Sequence, residues 1–479
     1  MEDRDTWWVS GRWIAAGVAA FALVLLAVGP TAAAPRYEID LIVDWDTGTF
    51  AGTTRVTVEN RTPAPIDEIV FRLFPNDAII YGNASLRVRE ARIAGGPITI
   101  APSEDPTVLP ILLPSPLGPA QTVSLTLAFA GRAGASPQYA GQTVTGYGIL
   151  TKNPQSLVLT AFYPILAVLN EGDPADDAAC SVGDVLWSES ADYDVTVSVP
   201  NGIIPAATGR LVSTRIDGGR TIHRFEATSA RDFSLVLTLG YEERSTETHG
   251  KIVRSWFSPS NRAAAERARA TAVQTLDLFE ARIGSLPVAE IDLVEVPLHR
   301  AAGVELSGLI LIASSFVTHP SDIFYDIIVA HEMAHQWFYG VVGNDPVSSP
   351  WLDEGLATYL SNVYLESTGQ DEAAHAETRR WQSSYASTRA SYPDSRMSDS
   401  ACRFPTASAY TTFVYDAAAW FHYSVRAAIG DEAYFAALSA FFATHTFKVA
   451  SGNDLLAAFR DASGVSLDAL FAEFGVESR

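Results

Sequence analysis

Near residue 242 the spacing of apolar residues changes its period, and that change confines the chain to two differently built halves. From Arg36 to about Tyr241 apolar and polar residues alternate, as in Thr53-Thr54-Arg55-Val56-Thr57-Val58-Glu59 and Val123-Ser124-Leu125-Thr126-Leu127. Turn signals such as Thr47-Gly48, Asn201-Gly202 and Asp217-Gly218-Gly219 break the runs, so residues 35–242 are expected to form a β domain. The proline-rich Ala101–Pro119 reads as an extended connection. Beyond Glu242, Asn261–Ile283 carries Ala, Glu, Arg and Leu at helical spacing, with Gly284 placed as its C-cap. Two strand-like runs, Glu290–Val296 and Gly308–Ile312, predict a small sheet, and helices continue through Tyr359, Trp420, Phe441 and Leu470. The expected fold class is α+β and multidomain: an N-terminal β-sandwich, then a mainly helical domain over 243–479 with a small sheet. A length of 479 residues suits two or three such cores.

Composition narrows the partners. Thirty-three basic residues against 55 acidic ones give a formal net charge of -22, a field that repels phosphate backbones, so nucleic acid is not an expected partner. Trp13 to Pro35 holds no charged residue, and Ile14 to Val28 is continuously apolar or small. Residues 1–34 therefore read as an export segment, either a signal peptide cleaved after the Ala32-Ala33-Ala34 run or an uncleaved membrane anchor. Pro35 disfavours cleavage after Ala34, which tilts the reading toward an anchor. Arg4 and Arg12 then hold the N-terminus inside and place the remainder extracytoplasmically. Only two cysteines occur, Cys180 and Cys402, too far apart in sequence for a metal knuckle. One disulfide and two buried thiols are both open.

The segment Ser321 to Tyr339 follows Pro320 and runs without Gly or Pro until Gly340, which predicts one helix. His331 and His335 stand four apart on it, so both imidazoles leave one face a turn apart and can share a tetrahedral zinc. Glu332 is displaced around that face, where a general base toward an attacking water would stand. Two histidines do not complete a catalytic zinc site, and Glu354, 19 residues after His335, is the candidate third ligand on a second helix folding back. The apolar Ile327-Ile328-Val329-Ala330 just ahead sets the site in a core. The alternative, two packed histidines on one face, weakens sharply once Glu354 is added at this spacing.

On these residues the chain resembles the aminopeptidase-N family, the gluzincins with HExxH, eighteen residues, then Glu. The likeness covers His331-Glu332-Met333-Ala334-His335-Gln336-Trp337-Phe338 and Trp351-Leu352-Asp353-Glu354-Gly355-Leu356-Ala357-Thr358-Tyr359. It extends to Gly284-Ser285-Leu286-Pro287 and Asp292-Leu293-Val294, and in the first half to Tyr37-Glu38-Ile39-Asp40, Phe50-Ala51-Gly52 and Ala191-Asp192-Tyr193-Asp194-Val195. The resemblance implies a saddle-shaped β domain, then a thermolysin-like catalytic domain with one zinc held by His331, His335 and Glu354. It implies Glu305, in Ala302-Gly303-Val304-Glu305-Leu306-Ser307-Gly308, as the carboxylate that binds a substrate's free amino terminus. The Met and Asn positions of the family's Gly-Ala-Met-Glu-Asn differ here. Tyr415, in Tyr415-Asp416-Ala417-Ala418, is implied as the oxyanion donor, with Tyr410 the weaker candidate. The family's long C-terminal helical-repeat domain has no counterpart in the text after Leu470-Phe471-Ala472-Glu473-Phe474. The expected function is a zinc aminopeptidase acting on peptides. The rivals are a zinc endopeptidase, a zinc hydrolase of non-peptide substrates, and a non-catalytic surface binding module.

Overall fold

The strand Arg36–Asp44 alternates exposed and buried side chains at every position, the signature of a strand with one face in a core. In the computed structural model it lies inside an eight-stranded sheet. The structure describes residues 34–476 apart from 137–145, 171–172, 176–179, 181, 185 and 320–321, so the expected export segment lies outside the described residues. The eight strands are Arg210–Asp217, Arg220–Ala230, Ala191–Pro200, Arg36–Asp44, Thr49–Glu59, Thr122–Arg132, Ser85–Ile93 and Gly96–Pro97, in spatial order. Neighbours are antiparallel except Arg36–Asp44 and Ala191–Pro200, which run parallel with Ile39 beside Val195. A five-stranded sheet built around Ser156–Leu159 and Leu235–Thr238, a three-stranded sheet and the two-stranded pair Leu169–Asn170 with Asp173–Pro174 complete the first half among the described residues.

Two expectations are corrected here. The proline-rich segment is not a plain connection: Val108–Leu117 is a strand paired with Ile66–Arg72. It is the last strand of the three-stranded sheet, met on its far side only by the isolated bridge Ile100–Ile111, so most of that side has no ladder for a proline to break. The small sheet is also larger than the two apolar runs implied. Its five strands are Glu242–Thr248, Lys251–Phe257, Glu290–Val296, Leu309–Ala313 and Gly303–Leu306 in spatial order. Helix Arg262–Arg282 is the crossover that lets Lys251–Phe257 and Glu290–Val296 pair in parallel.

This small sheet joins the two halves. Ile291, Leu293, Ile310 and Ile312 face the core shared with the helices. Val294, Val296, Leu309 and Leu311, alternating with them, belong to the core of the β half. A strand buried on both faces needs apolar residues at every position, which explains the unbroken Leu309-Ile310-Leu311-Ile312. Truncating one of these, for example Leu311→Ala, removes contacts worth about 2–5 kcal/mol. The antiparallel edge strand Gly303–Leu306 is thereby fixed against a rigid support, beside the helix that carries the histidines.

Candidate active site

The histidine helix spans Ile323–Ala334 and is capped by Asp322, whose side chain accepts from the Phe324 N–H at 3.0 Å. Asp326 takes two bonds from the Arg267 guanidinium at 2.7 and 2.6 Å, which locks this helix to Arg262–Arg282. The helix is shorter than the predicted run to Tyr339. His335 keeps helical angles as its C-cap, and the chain then reverses through Tyr339, at φ 142, to bridge Phe338 with Val342. Tertiary bonds override local helix propensity here: Trp337 Nε1 donates to Gly284 O at 2.9 Å, Tyr339 OH donates to Asp232 at 3.0 Å, and Arg231 Nε donates to Tyr339 O at 2.6 Å. The reversal has a chemical consequence. It brings the Phe338 carbonyl to 3.1 Å from His335 Nδ1, where it accepts a hydrogen bond from Nδ1–H and leaves Nε2 as a lone-pair donor.

His331 Nε2 and His335 Nε2 lie 3.1 Å apart, and Glu354 Oε2 stands 3.1 Å from the first and 3.3 Å from the second. Zinc with N and O ligands at about 2.0–2.1 Å in tetrahedral geometry requires ligand atoms about 3.3–3.4 Å apart. The triangle therefore fits zinc in both donor chemistry and size. Burial lowers His331 toward the neutral ligand form. Burial alone would raise Glu354, but its bonds to both histidines outweigh that and hold its carboxyl far down, in the anionic ligand form. Burial disfavours charge on His335 too, yet the carboxylates of Glu305, Glu354 and Glu332 raise it well above its usual value, the mark of a site short of positive charge.

Glu354 lies in the first turn of helix Trp351–Ser367. Its backbone N–H donates to Asp353 Oδ1 at 3.0 Å, and the same oxygen accepts from Asn344 at 2.9 Å. Gly355 is needed where it stands, because a Cβ there would collide with Ala418 of the helix Ala418–Ile429. Tyr415 sits in the single π turn Thr412–Ala417, stacks on His331 with ring centroids 6.1 Å apart, and bonds Glu354 Oε1 through its hydroxyl.

A cavity of about 810 Å³ opens over this triangle, lined by Glu305, Glu332, Tyr415, Tyr410 and Thr358 among others. Glu332 is 5% exposed and its Oε2 has no hydrogen-bond partner. Burial, then the charges of neighbouring carboxylates, push it up to about 8. Gly303 presses on it, since a Cβ at that position would stand 2.5 Å from Glu332 Oε1. Glu305, two residues along the same edge strand, is buried, and burial followed by the charge of Asp184 raises it well above the carboxylate range. Gln336 ties that strand's turn to the histidine segment, donating to Leu306 O at 3.1 Å and accepting from Gly308 N–H at 2.9 Å.

Five of the six candidate residues thus line one cavity, and His335, fully buried, stands behind them with its Nε2 3.1 Å from that of His331. Sequence reasoning missed Gly303, Asn344, Asp353 and Asp184. Asp353 adjoins Glu354 in the motif itself and could have been named, whereas Asp184 carries no local signal. The two cysteines are bridged, with Cα atoms 4.9 Å apart, which decides the alternative that the sequence left open.

Residues 268–474 match the Peptidase family M1 domain. The chain is 24% identical over 351 residues to rice (Oryza sativa subsp. japonica) aminopeptidase M1-A, covering 69% of this chain and 37% of that protein. It is 28% identical over 170 residues to the Bos taurus endoplasmic reticulum aminopeptidase 2, covering 33% of this chain and 18% of that one. The chain thus spans well under half the length of these relatives. Among solved structures it is similar to an M1 zinc metallopeptidase from Deinococcus radiodurans, at TM-score 0.66 and 21% identity, covering 93% of this chain and 94% of that one. A mutant of that metallopeptidase bound to a Tyr-Ser-Ala substrate superposes with TM-score 0.65 at 21% identity, over 93% of this chain and 95% of that one. With the ligand triangle, the adjacent Glu332 and these matches in hand, residues 268–474 are similar to the peptidase family M1 domain, and the chain resembles the aminopeptidase-N family of gluzincins.

Proposed function

We propose that this protein is a zinc aminopeptidase that removes N-terminal residues from peptides. The observation that carries the reading is the buried carboxylate of Glu305 in the same cavity as the His331, His335 and Glu354 triangle. A hydrolase needs only the triangle and a base; a carboxylate set to one side marks where the substrate's ammonium ends and limits the cut to one residue in. Zinc, when bound, supplies Lewis acidity, lowering the pKa of a bound water to about 7 and polarising the scissile carbonyl.

The chain's own residues do the rest. Glu305 binds the ammonium and sets the register. The unpartnered Oε2 of Glu332 takes the proton of the attacking water and returns it to the leaving amine. Tyr415 exchanges its bond to Glu354 for the developing oxyanion, with its ring held in place by His331. The Phe338 carbonyl keeps His335 in the ligating tautomer throughout.

The test combines metal analysis with amino-acid amides, free and N-acetylated. One zinc per chain and cleavage confined to free amines support the reading. Equal rates on acetylated substrates would make it an endopeptidase, and an inert zinc-free protein would make it a binding module. We also place it outside the cytoplasm, anchored through residues 1–34. The uncharged Trp13–Pro35 and the bridged cysteines support that placement. Recovery of the chain wholly from a cytosolic fraction, with both thiols free, would remove it.

A further inference from the structure

Two adjacent charged residues of the β half, Arg231 and Asp232, are both buried, behind the cavity rather than in its wall. The Arg231 guanidinium donates to the carbonyls of Tyr339 at 2.6 Å, Ser188 at 2.7 Å and Lys448 at 3.2 Å. Asp232 Oδ1 accepts from the Ser234 hydroxyl at 2.9 Å. Its Oδ2 accepts two bonds from the helical half, the Ser307 N–H at 2.9 Å and the Tyr339 hydroxyl at 3.0 Å. The Ser307 hydroxyl in return accepts from the Arg231 and Asp232 N–H groups at 3.0 and 3.3 Å. Apolar side chains of similar size would join the two halves at no greater cost, so buried charges bonded this fully point to geometry being fixed.

That single oxygen joins the two ends of the site. Ser307 lies two residues beyond Glu305, in the turn that ends strand Gly303–Leu306. Tyr339 lies four residues beyond His335, where the chain reverses. It holds φ 142, a conformation that L side chains rarely adopt, and its bonds to Arg231 and Asp232 keep it there. Asp232 itself occupies the short link between Arg220–Ala230 of the eight-stranded sheet and Leu235–Thr238 of the five-stranded sheet, so its backbone is held from both sides. Gln336 ties the histidine segment to the Glu305 strand directly, and Asp232 adds a common anchor fixed in the β half.

We infer that Asp232 is a positioning residue that fixes the separation between Glu305 and the triangle of His331, His335 and Glu354, and so the fit of one residue between ammonium and cut. The inference rests on the aminopeptidase reading above. Two binding groups at a fixed separation hold a ligand that spans them far better than either does alone, and the gain falls as the separation loosens. The role predicts a specific defect. Breaking the anchor leaves each end able to bind its own group and weakens the ligands that engage both.

The probes are an amino-acid hydroxamate, which carries an ammonium and a metal-binding group, and acetohydroxamate, which carries the metal-binding group alone. Their affinities are measured by calorimetry on the zinc-loaded full chain, and zinc affinity by competition with a chromophoric chelator. Tyr339→Phe removes one bond to Asp232, and Asp232→Asn keeps the side chain's shape but leaves one oxygen to accept. Tyr325→Phe is the matched control: it removes another buried tyrosine bond on the histidine helix, to Ala264 O at 3.2 Å, away from Asp232. Wild type is expected to prefer the amino-acid hydroxamate strongly. Tyr339→Phe and Asp232→Asn are expected to cut that preference about tenfold, with acetohydroxamate and zinc affinities within about twofold, while Tyr325→Phe keeps it. Should wild type bind both probes alike, the aminopeptidase reading itself fails. Should wild type prefer the amino-acid probe while Tyr339→Phe keeps that preference within about twofold, weakens both probes equally or loses zinc, Asp232 does not position the two ends. Asp232→Asn decides by the same criteria where Tyr339→Phe does not fold. An equal loss of preference in Tyr325→Phe would assign the effect to general loosening and overturn the inference.

Discussion

The metal end and the proposed amine end of this cavity are built by different means. At the metal end, His331, Glu332 and His335 come from one helix and its cap, and Glu354 from the first turn of the next helix, a contact of two adjacent elements. At the proposed amine end, Glu305 comes from the edge strand of a sheet, Gly303–Leu306. The first is held by backbone periodicity and short hydrogen bonds. The second depends on the pairing of that edge strand with Leu309–Ala313 and on the turn held by Gln336. Damage to the metal end should therefore abolish turnover, and damage to the amine end should change what is turned over.

The largest effects belong to the metal end. Removing zinc with a chelator, or replacing His335 by Ala, should abolish hydrolysis. Only in the wild type should added zinc restore it, as metal analysis and rate together would show. Glu332→Gln should keep one zinc per chain and lose about 10³–10⁴-fold in kcat, because the group that moves the proton is gone; a loss under tenfold would remove Glu332 as the base. Gly303→Ala sharpens the comparison, since the residue sits on the amine-end strand but its new Cβ presses on Glu332. A displacement of about 1 Å should cost about 10²-fold in kcat with KM and zinc little changed. A change confined to KM would show instead that the strand had moved.

Glu305→Gln should raise KM for free amines about 10- to 100-fold and narrow the gap between free and acetylated substrates. Retention of full discrimination would break the division proposed here. The smallest effect is expected from Asn344→Ala, which leaves Asp353 Oδ1 with only the Glu354 N–H. Thermal unfolding should report a loss of about 1–2 kcal/mol, with zinc still bound.

Much of this fold was legible because period and pattern are local properties. The strands Arg36–Asp44 and Thr49–Glu59 and the helix Arg262–Arg282 follow their own side chains. Glu242–Thr248 was not legible, since it is a polar edge strand with little alternation to show, and Val108–Leu117 was hidden by its prolines. The end of the histidine helix was misjudged for a further reason: nothing in Gln336-Trp337-Phe338-Tyr339 opposes a helix until Gly284, Asp232 and Arg231 arrive from elsewhere.

The sequence by itself determined the metal chemistry, because residues four apart on a helix share a face whatever the rest of the chain does, and Glu354 needs only one reversal to join them. Tertiary structure alone decided the amine end. That an edge strand brings Glu305 to the cavity, that Gly303 lies on Glu332, and that Cys180 is bridged to Cys402 all depend on contacts between distant segments. Such contacts are bought by burial of whole sheet faces and leave no period in the local text.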